Sequence, residues 1–123
     1  MDWKLELIQV PVADIDRAKA FYVEKVGFTP DVDALAGDDV RFVQLTPPGS
    51  GCSIALTSGV HTMAPGSLSG LQLVVEDAAA ARAELLDRGV EVGELEEFPW
   101  GRFVFFADPD GNAWAVQQLP PRG

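Results

Sequence analysis

Leu7-Ile8-Gln9-Val10-Pro11-Val12-Ala13-Asp14, continued by Ile15-Asp16-Arg17-Ala18-Lys19-Ala20-Phe21-Tyr22 and closed by Val26-Gly27, is the stretch from which the fold can be read. Residues 5–12 alternate and stay mostly apolar, the pattern of a strand. Asp14 is a good N-cap. Ile15, Ala18, Tyr22 and Val26 recur at helical spacing, and Gly27 suits the C-terminal stop. The unit is a strand, a cap and a helix.

The same unit returns later at one constant offset. Leu7 corresponds to Gly70, Gln9 to Gln72, Val12 to Val75, and Asp14 to Asp77. Residues 71–75 read as a strand, Glu76-Asp77 as the cap, and 78–88 as an alanine-rich helix ending at Gly89. Beyond the helices, Arg41-Phe42-Val43 matches Arg102-Phe103-Val104, and Ile54-Ala55-Leu56 matches Trp114-Ala115-Val116. Each pair is joined through a turn-rich segment, Pro47-Pro48-Gly49-Ser50-Gly51 in one half and Asp108-Pro109-Asp110-Gly111-Asn112 in the other. An ordered set of matches marks an internal duplication. One domain over 1–123 is expected, with modules 1–58 and 69–120 joined by a Gly/Pro/Ser-containing linker at 59–68.

Composition narrows the function classes. At 123 residues, with 47% hydrophobic residues, the chain can bury a core without cross-links. Cys52 is the single cysteine, so it forms no internal disulfide and reads as a strand residue. His61 is the single histidine, so a Cys/His metal cluster is excluded. A net charge of −10 weighs against nucleic-acid binding, which needs a cationic face. It suits either a cationic ligand or simple solubility. Residues 1–6 carry no basic leader pattern, and no apolar run is long enough to span a bilayer, so a cytoplasmic protein without a membrane partner is expected.

The motifs Val10-Pro11-Val12-Ala13-Asp14, Arg17-Ala18-Lys19-Ala20-Phe21-Tyr22 and Val26-Gly27-Phe28 resemble the vicinal oxygen chelate superfamily of glyoxalases, bleomycin-resistance proteins and extradiol dioxygenases. So do Val75-Glu76-Asp77, Arg88-Gly89-Val90, Pro99-Trp100-Gly101 and Phe106-Ala107 followed by the Asp-Pro-Asp-Gly-Asn turn. The resemblance implies an α+β fold of two tandem βαβββ modules, with curved mixed sheets around a concave cavity. It also implies a homodimer. In the family's metal enzymes four positions supply His, Glu or Gln ligands, and here they fall on Leu7, Ala55, Gly70 and Ala115. None has a donor side chain, whereas a divalent-metal site needs several. No metal and no cofactor is therefore expected.

The same positions set the parity of each strand, because residues two apart share a face. Leu7 brings Gln9, Ala55 brings Thr57, Gly70 brings Gln72, and Ala115 brings Gln117. Val43 and Leu45 belong with the apolar helix-facing residues, which puts Phe42 and Gln44 on the cavity side with their counterparts Phe103 and Phe105. Such a surface is an apolar, aromatic ligand pocket with a few amides. The alternative is a solvated sheet for Gln9 and Gln72, with the phenylalanines as core. Trp100 has two open readings, a roof that stacks on a planar ligand or a loop anchor.

The expected function is that of a metal-free small-molecule binder that sequesters a drug or an aromatic metabolite. The alternative is a lyase- or dioxygenase-like enzyme with a shifted metal site, or with acid–base chemistry from Glu6, His61 or Glu97. Glu94 and Glu96 belong to the same acidic stretch, Asp38 and Asp39 read as a solvated turn, and Asp108 and Asp110 as turn chemistry. Protein purified without chelator should carry no stoichiometric divalent metal by elemental analysis. One metal per chain would place a donor set elsewhere.

Overall fold

Both halves of the chain fold into the same succession of elements. The computed structural model describes residues 1–35, 40–57 and 63–121; Asp38, Asp39, Ser58 and His61 lie outside the described residues. The first module runs β1 (Leu7–Pro11), α1 (Ile15–Ala20), a π-helical turn (Phe21–Val26), β2 (Thr29–Leu35), β3 (Arg41–Thr46) and β4 (Ser53–Thr57). The second runs β5 (Leu71–Val75), α2 (Ala78–Asp87), β6 (Glu96–Phe98), β7 (Gly101–Ala107) and β8 (Ala113–Gln118). Each module forms one open four-stranded sheet, ordered β1-β4-β3-β2 and β5-β8-β7-β6. The β1–β4 and β5–β8 pairs are parallel and the others antiparallel, so both sheets are mixed. The fold is α+β, built from two tandem βαβββ modules. Cys52 lies one residue before β4, half-exposed.

Alternation decides which face of each sheet is covered. In the first, Val10, Val43, Leu45, Ile54 and Leu56 are buried, with Ile15, Ala18, Phe21 and Tyr22 of the helical segment. In the second, Leu71, Val104, Phe106, Trp114 and Val116 are buried with Ala78 and Leu85 of α2, which packs against β7 and β8. Each buried Val, Leu, Ile or Phe side chain among them contributes about 1.5–3 kcal/mol. Both helices are capped as their sequences indicate. The Asp14 carboxylate accepts the Arg17 N–H at 3.1 Å, and Asp77 accepts that of Ala80 at 3.0 Å.

The first helix departs from the single α-helix over 15–26 that its spacing suggests. From Phe21 it widens into a π turn, ended by Gly27 in the left-handed conformation. The Tyr22 carbonyl accepts from both Gly27 and Phe28 at 2.9 Å. The wider turn buries two consecutive aromatics, Phe21 and Tyr22, edge to face at 5.3 Å.

Tyr22 reaches a buried carboxylate. The Asp108–Asn112 turn joins β7 to β8 in the chain, yet it packs as part of the compact unit formed by the first module. Asp108 is 5% exposed and Asn112 fully buried. Asp108 Oδ1 accepts the N–H groups of Asp110, Gly111 and Asn112 at 3.0, 3.0 and 2.9 Å. Its Oδ2 accepts the Tyr22 hydroxyl at 2.7 Å and Asn112 Nδ2 at 2.8 Å. Asn112 Nδ2 also donates to the Pro11 carbonyl, and its Oδ1 accepts the Leu68 N–H. Asp110 Oδ1 accepts from Ala13 N–H and pairs with Arg17. The sequence suggested turn chemistry here; the structure adds burial and three distant segments.

On the surface, Asp33 of β2 accepts from Lys19 at 2.7 Å and from Arg41 at 2.7 and 2.9 Å. The Arg41 guanidinium, then the Lys19 ammonium, hold its carboxyl well below the usual carboxylate range. No helix among the described residues is long and apolar enough to cross a membrane.

Asp108→Ala should lower the unfolding free energy by about 3 kcal/mol or more, since it strands several buried donors, and Tyr22→Phe by about 1–2 kcal/mol. Urea titration measures both, and a smaller loss for the alanine variant would remove the carboxylate from its central role. Because the Asp33 pKa is depressed on folding, its contribution is present above the ordinary carboxylate value of about 4 and is lost as the pH falls below it. Asp33→Asn should therefore flatten the decline in stability below about pH 4. An unchanged acid limb would contradict the assignment.

Candidate ligand-binding site

The face of each sheet turned away from its helix carries the sequence-predicted residues, and the strand register places the repeat partners at equivalent points. In the first sheet Gln9 and Gln44 flank Ala55, and Phe42 lies opposite Thr57. In the second, Gln72 and Phe105 flank Ala115, and Phe103 lies opposite Gln117. Leu7 is half-buried opposite Ser53.

The two faces differ in chemistry. On the first, Gln44 donates to the Ser53 hydroxyl at 3.3 Å, Ser53 is linked to Thr46 at 2.6 Å, and Thr46 donates to Asp31. Phe42 and Gln44 are half-buried and Ala55 is buried. On the second, rings dominate. Phe98 stacks on Trp100 at 5.3 Å with planes 6° apart, and Phe103 stacks on Phe105 at 5.9 Å and 8°. Phe98 meets Phe103 edge to face at 5.6 Å, which joins the two stacks. Gln72, Phe98, Trp100, Phe103, Phe105 and Ala115 line an open groove of about 310 Å³. Trp100 is 59% exposed, Phe105 41% and Phe98 39%. The exposed rings thus form one contiguous apolar patch.

The Trp100 turn is held from below. Gly101 has φ +139°, and a Cβ there would lie 2.4 Å from the Gln118 carbonyl oxygen, so only glycine fits after Trp100. The Trp100 carbonyl accepts Gln117 Nε2 at 2.8 Å. Gln117 Oε1 in turn accepts from Gln72 Nε2. Gln117 is thus tied to its neighbours beneath the groove rather than lining it. Gly70 precedes β5, does not line this groove, and has φ +85°, a conformation that favours glycine.

Phe98 is the residue that sequence reasoning missed. Its signal was the parity of β6, since Glu96 pairs with Phe103 and Phe98 with Gly101 on the aromatic side. Ser53 was missed on the first face, although the parity that groups Ala55 with Thr57 also puts it there. Glu97 takes the opposite parity and pairs with Arg102 at 2.8 Å, and Glu94 lies 3.9 Å from Arg82. Glu6 is exposed ahead of β1. A neighbouring cleft of about 340 Å³ is lined by that Glu97–Arg102 pair and the chain beyond β8, with Phe98 as its one ring.

A catalytic metal does not fit the family's ligand positions. Leu7, Ala55, Gly70 and Ala115 offer no donor, and among the described residues no group of three or more His, Cys, Asp or Glu side chains could hold one.

The sequence model of the Glyoxalase/Bleomycin resistance protein/Dioxygenase superfamily matches residues 4–116. The chain belongs to this superfamily. Its fold is similar to that of TnmS3, an antibiotic binding protein from Streptomyces sp. CB03234, at 42% identity and a TM-score of 0.89, over 97% of this chain and 98% of that one. A glyoxalase/bleomycin resistance protein from the same Streptomyces strain is 43% identical, with a TM-score of 0.83, over 94% of this chain and 100% of that one. The protein YetH of Bacillus subtilis (strain 168) is 30% identical over 115 residues, 90% of this chain and 94% of its own. This superfamily member has no donor side chain at Leu7, Ala55, Gly70 or Ala115, where the resemblance puts the family's metal ligands.

Proposed function

We propose that the chain is a small-molecule binder that sequesters flat aromatic compounds, a drug or an aromatic metabolite, on the ring-lined face of its second module. The observation that carries this reading is the set of stacked rings, Phe98 on Trp100 and the buried Phe103 on Phe105, of which Phe98, Trp100 and Phe105 are exposed. A planar ligand would extend either stack, a geometry that contributes about 0.5–1.5 kcal/mol per ring beyond burial. The small side chain of Ala115 gives the groove its floor, and Gln72 gives it a polar edge.

Two further points support the reading. The similar protein TnmS3 is an antibiotic binding protein. The described residues that line the groove are rings, Ala115 and Gln72, with no carboxylate among them, which favours holding a ligand by shape and stacking. The homodimer implied by the family resemblance belongs to the same reading.

Titration with phenazine, a flat neutral three-ring probe, should quench tryptophan emission to saturation. Trp100→Ala and Phe105→Ala should each weaken binding about tenfold, in line with the loss of a stacking partner. Both side chains are exposed, so the melting temperature should move little. Unchanged affinity in both variants would overturn the placement of the site.

A further inference from the structure

We propose that the groove prefers flat aromatics that carry a hydrogen-bond donor on the ring edge, because an amide relay fixes the Gln72 carbonyl oxygen as its polar contact. The inference rests on the aromatic-ligand reading above and specifies the ligand further.

The relay starts at a backbone atom whose role is settled. The Trp100 carbonyl oxygen can only accept a hydrogen bond, so the end of Gln117 that meets it at 2.8 Å must be the NH₂ group. Gln117 Oε1 then faces the other way and accepts from the Gln72 amide nitrogen. Gln72 is thereby oriented as well: its nitrogen is tied to Gln117, and its carbonyl oxygen makes no hydrogen bond within the described residues. Turning either amide over would set oxygen against oxygen. Gln117 is only 8% exposed, so water has little access to repair such a contact.

Gln72 stands on the wall of the groove beside Ala115 and across it from Phe105. A ligand stacked on the rings therefore meets an acceptor oriented before it arrives. A phenolic hydroxyl, an aryl amine or a ring N–H can satisfy that oxygen. An ether or carbonyl at the same place would put lone pairs against lone pairs. A site built around one hydrogen-bonding group discriminates against analogues that lack its complement. Gln117 acts in this as a positioning residue, since it touches the Trp100 turn and Gln72 but not the groove.

Calorimetric titration with 2-naphthol and 2-methoxynaphthalene at neutral pH tests the proposal. The two probes share the ring system and differ in the donor. In the native protein 2-naphthol should bind about five- to tenfold more tightly, the range one hydrogen bond supplies. In Gln72→Met, an exposed position that tolerates replacement, the ratio of the two affinities should fall to about one. Gln117→Leu should also shrink the ratio, because the Gln72 amide can then turn over. Equal binding of the two probes by the native protein would overturn the donor preference while leaving the aromatic site standing. A ratio that survives in Gln72→Met would place the acceptor elsewhere and overturn the proposal, and one that survives in Gln117→Leu would overturn the relay. Failure of both probes to bind would bring down the aromatic reading and the donor preference together.

Discussion

The Asp108 carboxylate is buried, and a buried charge is tolerated only where its oxygens are fully engaged. Here three backbone N–H groups of its own turn, the Asn112 amide and the Tyr22 hydroxyl meet it. This constraint reaches outward. Tyr22 must point inward beside Phe21, and the π turn is the backbone that allows both. Asn112 must keep one amide hydrogen for Asp108 and one for the Pro11 carbonyl, which anchors the end of β1. Its oxygen takes the Leu68 N–H, so the segment leading into the second repeat is tied to the same point. A helix irregularity, a strand end and a connecting segment all answer to one side chain.

Duplication supplied two copies of one sheet, and the copies have diverged in what their faces offer. Gln44 and Phe105 occupy equivalent points beside Ala55 and Ala115. In the first module the amide joins a hydroxyl cluster of Ser53 and Thr46, a surface whose polar groups satisfy one another. In the second the phenylalanine joins three other rings, and part of their surface stays in water. The same backbone thus carries an internally satisfied face and an unsatisfied apolar one. Association with a flat partner relieves only the second. Membership of the superfamily fixes the fold but not the activity, since one fold hosts many functions and the chemistry lives in the side chains of the site.

Much of this was legible from residue order. The repeated strand–cap–helix unit predicted both modules, and the Asp14 and Asp77 caps form as their positions indicate. Parity placed Gln72, Phe103, Phe105 and Ala115 on one face, and all four line the groove. The same argument extended to β6 would have added Phe98, but three residues in an acidic stretch carry too little alternation to be read alone. Gly70 matched a ligand position by alignment, while its backbone conformation shows a different reason for being glycine.

The sequence by itself determined the repeat, the order of elements, the caps, the covered faces of β1, β3, β4, β5, β7 and β8, and the lack of donor side chains at Leu7, Ala55, Gly70 and Ala115. These follow from periodicity and side-chain chemistry, which act between near neighbours or within one residue. Only the tertiary structure decided that Asp108 meets Tyr22 across 86 residues, that Trp100 stacks on Phe98, and that Gln117 holds the Trp100 carbonyl. Each of those is a choice among several chemically equivalent partners. A hydroxyl, a ring or an amide does not encode which distant group it will meet, and packing of the whole chain makes that selection.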